Sequence, residues 1–437
     1  MAPVDVPVAL LGYGTVGAAV NRLLTEEAED IERSTGHRLR VVKALVRDRE
    51  KERAFTPGED VLTTSFSEIL DDPEIGLVAE VMGGVDPTGA HVVALLKAGK
   101  SVVSANKQLI AQRSSQLFAV ASDASVQLRF EASVCAAIPV IKVLRESLVV
   151  SNVHRLLGIV NGTTNYVLTE MEQDLSYEEA LAEAQRLGYA EADPADDVGG
   201  ADAAAKMAIL ATIAFGTRVT LDDVPYEGIT GIRWGHMRAA RDMGMAVRLV
   251  GSATLVDGTY DVRVGPALVD RNHPLSAIEG AFNAIMLQGD AIREITLGGP
   301  GAGGSETASA VVADMVSVIG TTGTGFLQND PCWRRLERLA PGDHRSPFYV
   351  RLEVDDRAGV LARVAETLAA RDLSVARLIQ RQMRSGVGAA LHVVTHEAPV
   401  SAIEGAISDL AALPETHETP TAMPVISDRG VAELGWS

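Results

Sequence analysis

Val6-Pro7-Val8-Ala9-Leu10-Leu11-Gly12-Tyr13-Gly14-Thr15-Val16-Gly17 begins as an apolar run and breaks into three spaced glycines. The run reads as a strand, and the periodic stretch after it, to about residue 34, reads as a helix. Gly-x-Gly-x-x-Gly between a strand and a helix is the setting in which the motif holds a dinucleotide. Gly12 permits the tight turn, Gly14 lets backbone approach a pyrophosphate, and Gly17 lets the helix pack closely on the sheet. Thr15 and Val16 stand at the positive end of that helix, where N–H groups face an anion.

A second strand, Leu39 to Val46, ends in Val46-Arg47-Asp48-Arg49, with Lys51 and Arg53 behind it. A ribose-binding carboxylate is expected at that terminus for NAD. Arg47 suits a 2′-phosphate instead, so NADP is favoured, with NAD still open because of Asp48. Further βα units follow. Leu77 to Met82 runs into Gly83-Gly84, a helix spans Pro87 to about Ala98, and Ser101-Val102-Val103-Ser104 delivers Ala105-Asn106-Lys107. Open α/β sheets place ligands at such strand ends, so Lys107 is either an ordinary surface lysine or a group beside the expected nicotinamide edge, and Ser104 is read as a cofactor contact.

The chain has 437 residues, too many for one ordinary core, so roughly two to three domains are expected. Hydrophobic content of 47% with only 4% aromatic residues suits an α/β protein packed with Ala, Val and Leu. The net charge of −19 argues against nucleic acid as a partner, since phosphate binding needs a cationic footprint. No long apolar run and no basic-then-apolar leader is read, so a cytoplasmic protein without a membrane partner is expected. Cys135 and Cys332 form neither a disulfide framework nor a metal-ligand spacing.

After Glu131-Ala132-Ser133-Val134-Cys135-Ala136-Ala137-Ile138-Pro139 the βα rhythm changes. A strand from about His154 to Val160 enters Asn161-Gly162-Thr163-Thr164-Asn165-Tyr166, a polar turn that predicts a helix capped by Thr163 or Thr164. A helix over 177–187 leads to Gly188-Tyr189-Ala190-Glu191-Ala192-Asp193-Pro194, then Asp196, Asp197, Asp202 and Lys206. Five carboxylates and an amine thus lie between Ala/Leu-rich helices, where unpaired charge is costly. Asp202 and Lys206 are four apart and share a helical face. That spacing fits an ordinary ion pair, or a polar active site built on a rigid helix. Gly298-Gly299-Pro300-Gly301-Ala302-Gly303-Gly304 opens another helix from about Thr307 to Ile319 and offers a second glycine-rich approach to the dinucleotide.

The N-terminal glycines, Ser-Ala-Asn-Lys (104–107), Asn-Gly-Thr-Thr-Asn-Tyr (161–166), Gly-Tyr-Ala-Glu-Ala-Asp-Pro through Lys206, and Gly-Pro-Gly-Ala-Gly-Gly (299–304) together resemble homoserine dehydrogenase. The resemblance spans residues 5 to 325. It implies reversible nicotinamide-dependent reduction of L-aspartate 4-semialdehyde to L-homoserine. It further implies Lys206 as general acid/base, Asp202 as the residue orienting it and the substrate, and Lys107 between nicotinamide and substrate. Glu191 would hold the substrate ammonium, with Asp197, Thr163 and Tyr189 in the substrate site and Gly303 at the cofactor. In the family, the segment matching Glu131, Val134, Ala136 and Ile138 wraps a monovalent cation such as sodium, largely through backbone carbonyls. Here Ala136-Ala137 replaces the family's Gly-Gly. A sensor that had lost catalysis would have no need of Glu191, Asp202 and Lys206 together. A different dehydrogenase sharing only the N-terminal domain would not account for 161–166 and 188–206.

Beyond the linker Pro341-Gly342-Asp343, strict alternation from Phe348 reads as a strand, and the pattern continues as βαββαβ to about Ile426. The Asp-x-x-Gly-x-Leu turn (356–361) resembles the ACT family of amino-acid-binding regulatory domains. The resemblance implies an effector held by Asp356, Gly359 and Leu361. Attached to this enzyme class, the expected effector is L-threonine.

The fold class expected is α/β: a Rossmann-type nucleotide-binding domain over 1–135, completed by about 299–325; an α+β catalytic and dimerisation domain over 136–298; and a ferredoxin-like ACT domain over 345–430. A homodimer or homotetramer is expected.

Overall fold

In a computed structural model of the protein, the described residues are 4–58, 60–320, 337–383 and 388–426. Cys332 lies outside them, as do 321–325 of the segment expected to complete the nucleotide-binding domain. The chain forms two compact units. One holds the residues to Leu156, Asp202–Val224 and the segment from Asn283; the other holds Leu157–Ala201, Pro225–Phe282 and the C-terminal region.

The first unit is built on a six-stranded sheet of β1 (Val4–Leu11), β2 (His37–Leu45), β3 (Leu62–Thr63), β4 (Leu77–Glu80), β5 (Ser101–Ser104) and β6 (Leu128–Arg129). Its order is β3-β2-β1-β4-β5-β6, with every pairing parallel. This is a Rossmann-type doubly wound sheet, whose order reverses beside β1. α1 (Thr15–Glu26) and α2 (Ala28–Thr35) occupy the stretch read as one helix. The break falls at Glu27, whose backbone is non-helical (φ −99°, ψ 16°). The connections are α3 (Ser67–Leu70), α4 (Thr88–Lys97) and α5 (Lys107–Asp123). Val8, Leu10, Val20, Leu24, Val311 and Met315 are buried in one cluster, each contributing about 1.5–3 kcal/mol. The last two belong to α12 (Gly304–Gly320), which packs along α1 although it lies far away in sequence.

The same unit contains α6 (Val140–Lys142), most of α10 (Ala201–Phe215), and the hairpin strands β10 (Phe282–Gly289) and β11 (Ile292–Pro300). Nearly every side chain of α10 is buried, Asp202 and Lys206 included, as expected of a helix that is apolar around its whole circumference. The chain passes between the units within β7 (Val153–Ile159).

In the second unit, β8 (Met245–Val256) and β9 (Thr259–Asp270) form a long hairpin. Its Asp257-Gly258 turn has both residues at positive φ, the conformation that matches strand twist. α7 (Gly162–Glu172), α8 (Tyr177–Leu187), α9 (Ala195–Val198) and α11 (Trp234–Asp242) accompany the hairpin. Beyond the short strands β12 (Glu337–Arg338) and β13 (Arg345–Ser346) comes β14 (Phe348–Val354). It is followed by α13 (Val360–Ala369), β15 (Val375–Gln382), β16 (Ala389–Thr395), the short β17 (Ala398–Pro399), α14 (Val400–Ala411) and β18 (Thr421–Ile426). The sheet order β18-β14-β16-β15 is antiparallel throughout and has the ferredoxin-like βαββαβ plan. Val350, Leu352, Val364, Leu391, Ile403 and Leu410 fill the core between its sheet and helices. Unanticipated from sequence, β18 also pairs in parallel with β9 (Val425 with Leu268), so this sheet continues into the hairpin.

Candidate active site

In the first unit the C-terminal ends of β1, β2 and β4 open onto a cleft of about 1220 Å³. Gly12, Gly14, Thr15, Arg47, Lys51 and Arg53 line it. Gly12 has φ +104°, and a Cβ there would stand 3.0 Å from the Val81 carbonyl. At Gly17 a Cβ would come within 2.4 Å of the Gly12 carbonyl, so the helix meets the turn only through glycine. Nothing lies within 4 Å of a Cβ built on Gly14. Gly14 is also the N-cap of α1 and has no side-chain capping bond. Open backbone at an uncapped helix start suits a pyrophosphate, so these residues fit a dinucleotide. Gly304, at the start of α12, lies against Thr15: a Cβ there would be 2.9 Å from Thr15 Cγ2. Two glycine-rich helix starts are therefore adjacent. Gly303 (φ +143°) is beside the Glu306 carboxylate.

Val16 and Gly17 do not line the cleft, whereas Phe66 and His91, stacked with ring centroids 4.0 Å apart, do. No periodicity or motif marked that aromatic pair. Ser104, read as a cofactor contact, is fully buried, and its hydroxyl donates to Glu80 Oε2 at 2.6 Å. Its side chain therefore serves the protein interior.

Asp202 sits in the first turn of α10, one helical turn before Lys206. Its Oδ2 is 2.8 Å from Lys206 Nζ, and its Oδ1 accepts a hydrogen bond from Lys107 Nζ. Lys107 is the first residue of α5, whose N-terminus is capped by Asn106 Oδ1. Burial alone would raise the Asp202 pKa, but the charges of Lys206 and Lys107 hold it well below the usual carboxylate range. The result is an ionised carboxylate shared by two amines, with Lys206 nearly buried and Lys107 reaching the surface. Such a group can present positive charge and a proton to an oxygen on which negative charge develops.

Residues 131–138 form a tight turn in which Cys135 (φ 54°) and Ala136 (φ 34°) adopt the left-handed region. Both carboxylate oxygens of Glu131 are engaged, accepting from Ile141 N at 2.8 Å and Lys142 N at 2.9 Å. The Glu131 and Cys135 carbonyls accept from Val134 N and Ile138 N, and the Ile138 carbonyl accepts from Val140 N. The Val134 and Ala136 carbonyls have no such partner among the described residues. These are oxygen donors suited to a hard cation. Among the described residues no group of three or more His, Cys, Asp or Glu is arranged to hold a metal.

In the second unit the helix start expected at Thr163 or Thr164 is capped instead by Asn161, whose Oδ1 accepts from Thr164 N at 2.8 Å. The threonine hydroxyls are engaged elsewhere. Thr164 Oγ1 donates back to Asn161, while Thr163 Oγ1 donates to the Tyr189 carbonyl at 2.6 Å and lies 3.1 Å from Asp197 Oδ2. Asn161 Nδ2 donates to Asp197 Oδ1 at 2.7 Å. Asn161, Thr163, Tyr189 and Asp197 thus converge. Asn161 was missed because Asx capping and carboxylate holding look alike in a polar string. Glu191 is exposed, and its side chain forms no ion pair among the described residues.

In the C-terminal domain, Gly359 (φ +91°) is the N-cap of α13, with nothing within 4 Å of a Cβ built there. Asp356 Oδ1 accepts from Gln380 Nε2 at 3.1 Å, and Leu361 is exposed. These three residues edge one open helix start.

Comparison with known proteins agrees across the chain. Residues 12–131 match the family model "Homoserine dehydrogenase, NAD binding domain", 139–316 match "Homoserine dehydrogenase", and 348–415 match "ACT domain". A homoserine dehydrogenase of Mycobacterium leprae is 41% identical over 423 residues, covering 93% of this chain and 95% of that protein. A crystal structure of a homoserine dehydrogenase from Thiobacillus denitrificans superposes with a TM-score of 0.92 at 34% identity, covering 100% of both chains. A hyperthermophilic archaeal homoserine dehydrogenase solved in complex with NADPH gives a TM-score of 0.60 at 27% identity, covering 72% of this chain and 98% of that one. With a Rossmann-type cleft, a buried two-lysine carboxylate cluster and matches over nearly its whole length, the chain belongs to the homoserine dehydrogenase family of oxidoreductases and carries a C-terminal ACT domain.

Proposed function

We propose that Lys206 is the general acid/base for the reversible conversion of L-aspartate 4-semialdehyde to L-homoserine, and that NADP is the preferred cofactor. The observation carrying this reading is the Asp202 carboxylate shared by Lys206 and Lys107. Bound in the cleft, a nicotinamide dinucleotide supplies or accepts the hydride. Lys206 manages the proton: as an ammonium it donates to the aldehyde oxygen during reduction, and as an amine it takes the hydroxyl proton during oxidation. Lys107 adds a second positive charge for the developing alkoxide, and Asp202 fixes both amines. Glu191, Asp197, Thr163 and Tyr189 hold the amino-acid end of the substrate.

The cationic lining of Arg47, Lys51 and Arg53 supports a 2′-phosphate, and the archaeal relative was solved in complex with NADPH. A monovalent cation such as sodium fits the Val134 and Ala136 carbonyls, while those of Glu131 and Ile138, each already accepting a backbone hydrogen bond, would offer only a second lone pair. The ACT domain binds L-threonine at Asp356, Gly359 and Leu361 and inhibits the enzyme. The protein works as a homo-oligomer in the cytoplasm; among the described residues no helix is long and apolar enough to cross a membrane. Steady-state oxidation of L-homoserine with NADP and with NAD, with and without L-threonine, tests these assignments together. No turnover with either cofactor would refute the catalytic reading. Indifference to threonine would refute the regulatory one alone.

A further inference from the structure

Leu77, Val78 and Ala79 are buried apolar residues, as a central parallel strand requires, yet the strand ends in Glu80, which is also fully buried. A carboxylate in that position is costly unless its oxygens are satisfied. Here they are satisfied by hydrogen bonds. Oε1 accepts from Met82 N at 2.9 Å and Gly83 N at 3.3 Å, and Oε2 accepts from the Ser104 hydroxyl at 2.6 Å. Burial raises the Glu80 pKa, and the hydrogen bonds oppose that rise.

The bonds continue beyond Glu80. Ser104 Oγ accepts from Asn106 N at 3.1 Å, and Asn106 Nδ2 donates to the Gly84 carbonyl at 2.6 Å. Asn106 Oδ1 caps α5 through Leu109 N at 3.1 Å. A closed ring therefore ties two turns together. One turn, Met82-Gly83-Gly84, lines the dinucleotide cleft, and both its glycines have positive φ. The other ends in Lys107, which holds Asp202. A glutamate that only capped its own turn would need Met82 and Gly83 alone. The bond to Ser104 is what carries the carboxylate across to the turn bearing the lysine, beside the backbone bond from Ala105 N to the Glu80 carbonyl at 3.0 Å.

Resting on the assignment of Lys107 to the reaction, we propose that Glu80 is a positioning residue: through Ser104 and Asn106 it fixes where Lys107 stands relative to the turn that lines the cofactor cleft. Ser104→Ala cuts the ring while leaving Glu80 its two backbone partners. Glu80→Gln keeps an acceptor for Met82 and Gly83 but meets Ser104 with an amide.

The test uses the full chain, with NADPH affinity from nucleotide fluorescence, kcat and KM for homoserine, and Tm. Ser104→Ala is expected to lower kcat on the order of ten-fold, as for a slightly misplaced catalytic group, with NADPH Kd within about three-fold. It should cause little further loss when added to Lys107→Ala, because two changes acting through one group do not add. Glu80→Gln should fall between Ser104→Ala and the parent. Wild-type kcat in Ser104→Ala, equal losses of kcat and NADPH affinity, or additive losses in the double variant would each overturn the proposal. Should Glu80→Gln not fold, Ser104→Ala decides alone. Should Lys107→Ala itself turn over normally, the role of that lysine fails and the positioning role with it. An inactive Lys107→Ala beside a normal Ser104→Ala sinks only the positioning.

Discussion

Lys206 Nζ stands 2.8 Å from Asp202 Oδ2, one helical turn along α10, with both side chains buried. An exposed pair at this spacing would contribute only a few tenths of a kcal/mol. Here the same carboxylate also holds Lys107, so removing one lysine leaves Asp202 paired rather than stranded. Lys206→Met, which keeps the side-chain bulk and removes the proton, should therefore fold. General acid/base groups typically account for about 10²–10⁴ in rate, and kcat should fall by that order with NADPH Kd within about three-fold. Steady-state kinetics with a fluorescence titration checks both, and a variant with near-parental kcat would remove Lys206 from the mechanism.

Arg47 and Asp48 adjoin at the end of β2, and they favour different cofactors. The Asp48 carboxylate accepts from Glu50 N at 2.9 Å, closing a local turn, while Arg47 is exposed on the cleft. Asp48 is thus partly occupied, and Arg47 is the residue offered to a 2′-phosphate. Charge-assisted hydrogen bonds are worth about 1.5–3 kcal/mol, and solvent exposure reduces that. Arg47→Ala should raise the NADP Kd about ten-fold and leave NAD nearly unchanged. Equal effects on the two cofactors would show that Arg47 does not read the phosphate.

The strand–glycine–helix string at Val6–Gly17 was legible because its function is backbone geometry, which glycine spacing records directly. The Asp202–Lys206 pair was legible because helical spacing fixes the face. Lys107 could be placed at a strand end but not against Asp202, since that contact joins residues 95 apart in sequence. Glu80 was missed: a lone carboxylate ending an apolar run carries no period, and its meaning appears only when β4 and β5 lie side by side. The β18–β9 pairing was invisible for a related reason. The residues of β9 were not read as a strand, and nothing in an edge strand's sequence names its second neighbour.

That pairing shapes the regulatory experiment. Deleting the chain after residue 340 removes β18 and leaves the edge of β9 open, a known route to aggregation. Gly359→Val is the milder probe. At φ +91° a side chain is strained, and the added bulk stands in open space at the start of α13, where an effector carboxylate would approach N–H groups. The threonine concentration giving half inhibition should rise at least about ten-fold. Unchanged inhibition in Gly359→Val, measured over a full threonine titration, would move the effector site elsewhere.

Asp314 and Glu131 supply a pH dependence of stability with a definite sign. Asp314 Oδ2 accepts from Glu131 N at 2.9 Å inside the first unit. Burial pushes Asp314 up to about 6 and Glu131 up to about 7. In the unfolded chain such groups titrate near about 3.9 and 4.3. Between those values and the folded ones the native state binds more protons, so stability falls as pH rises from about 4 to about 7. Asn at 314 retains an acceptor for Glu131 N and cannot ionise. Asp314→Asn should therefore exceed the parent in Tm modestly near pH 5 and by roughly twice as much near pH 8, where ionising the buried group costs about 3 kcal/mol. A variant less stable than the parent at pH 8 would mean that Lys142, whose Nζ lies 3.9 Å from Asp314 Oδ1, compensates the charge more than burial penalises it.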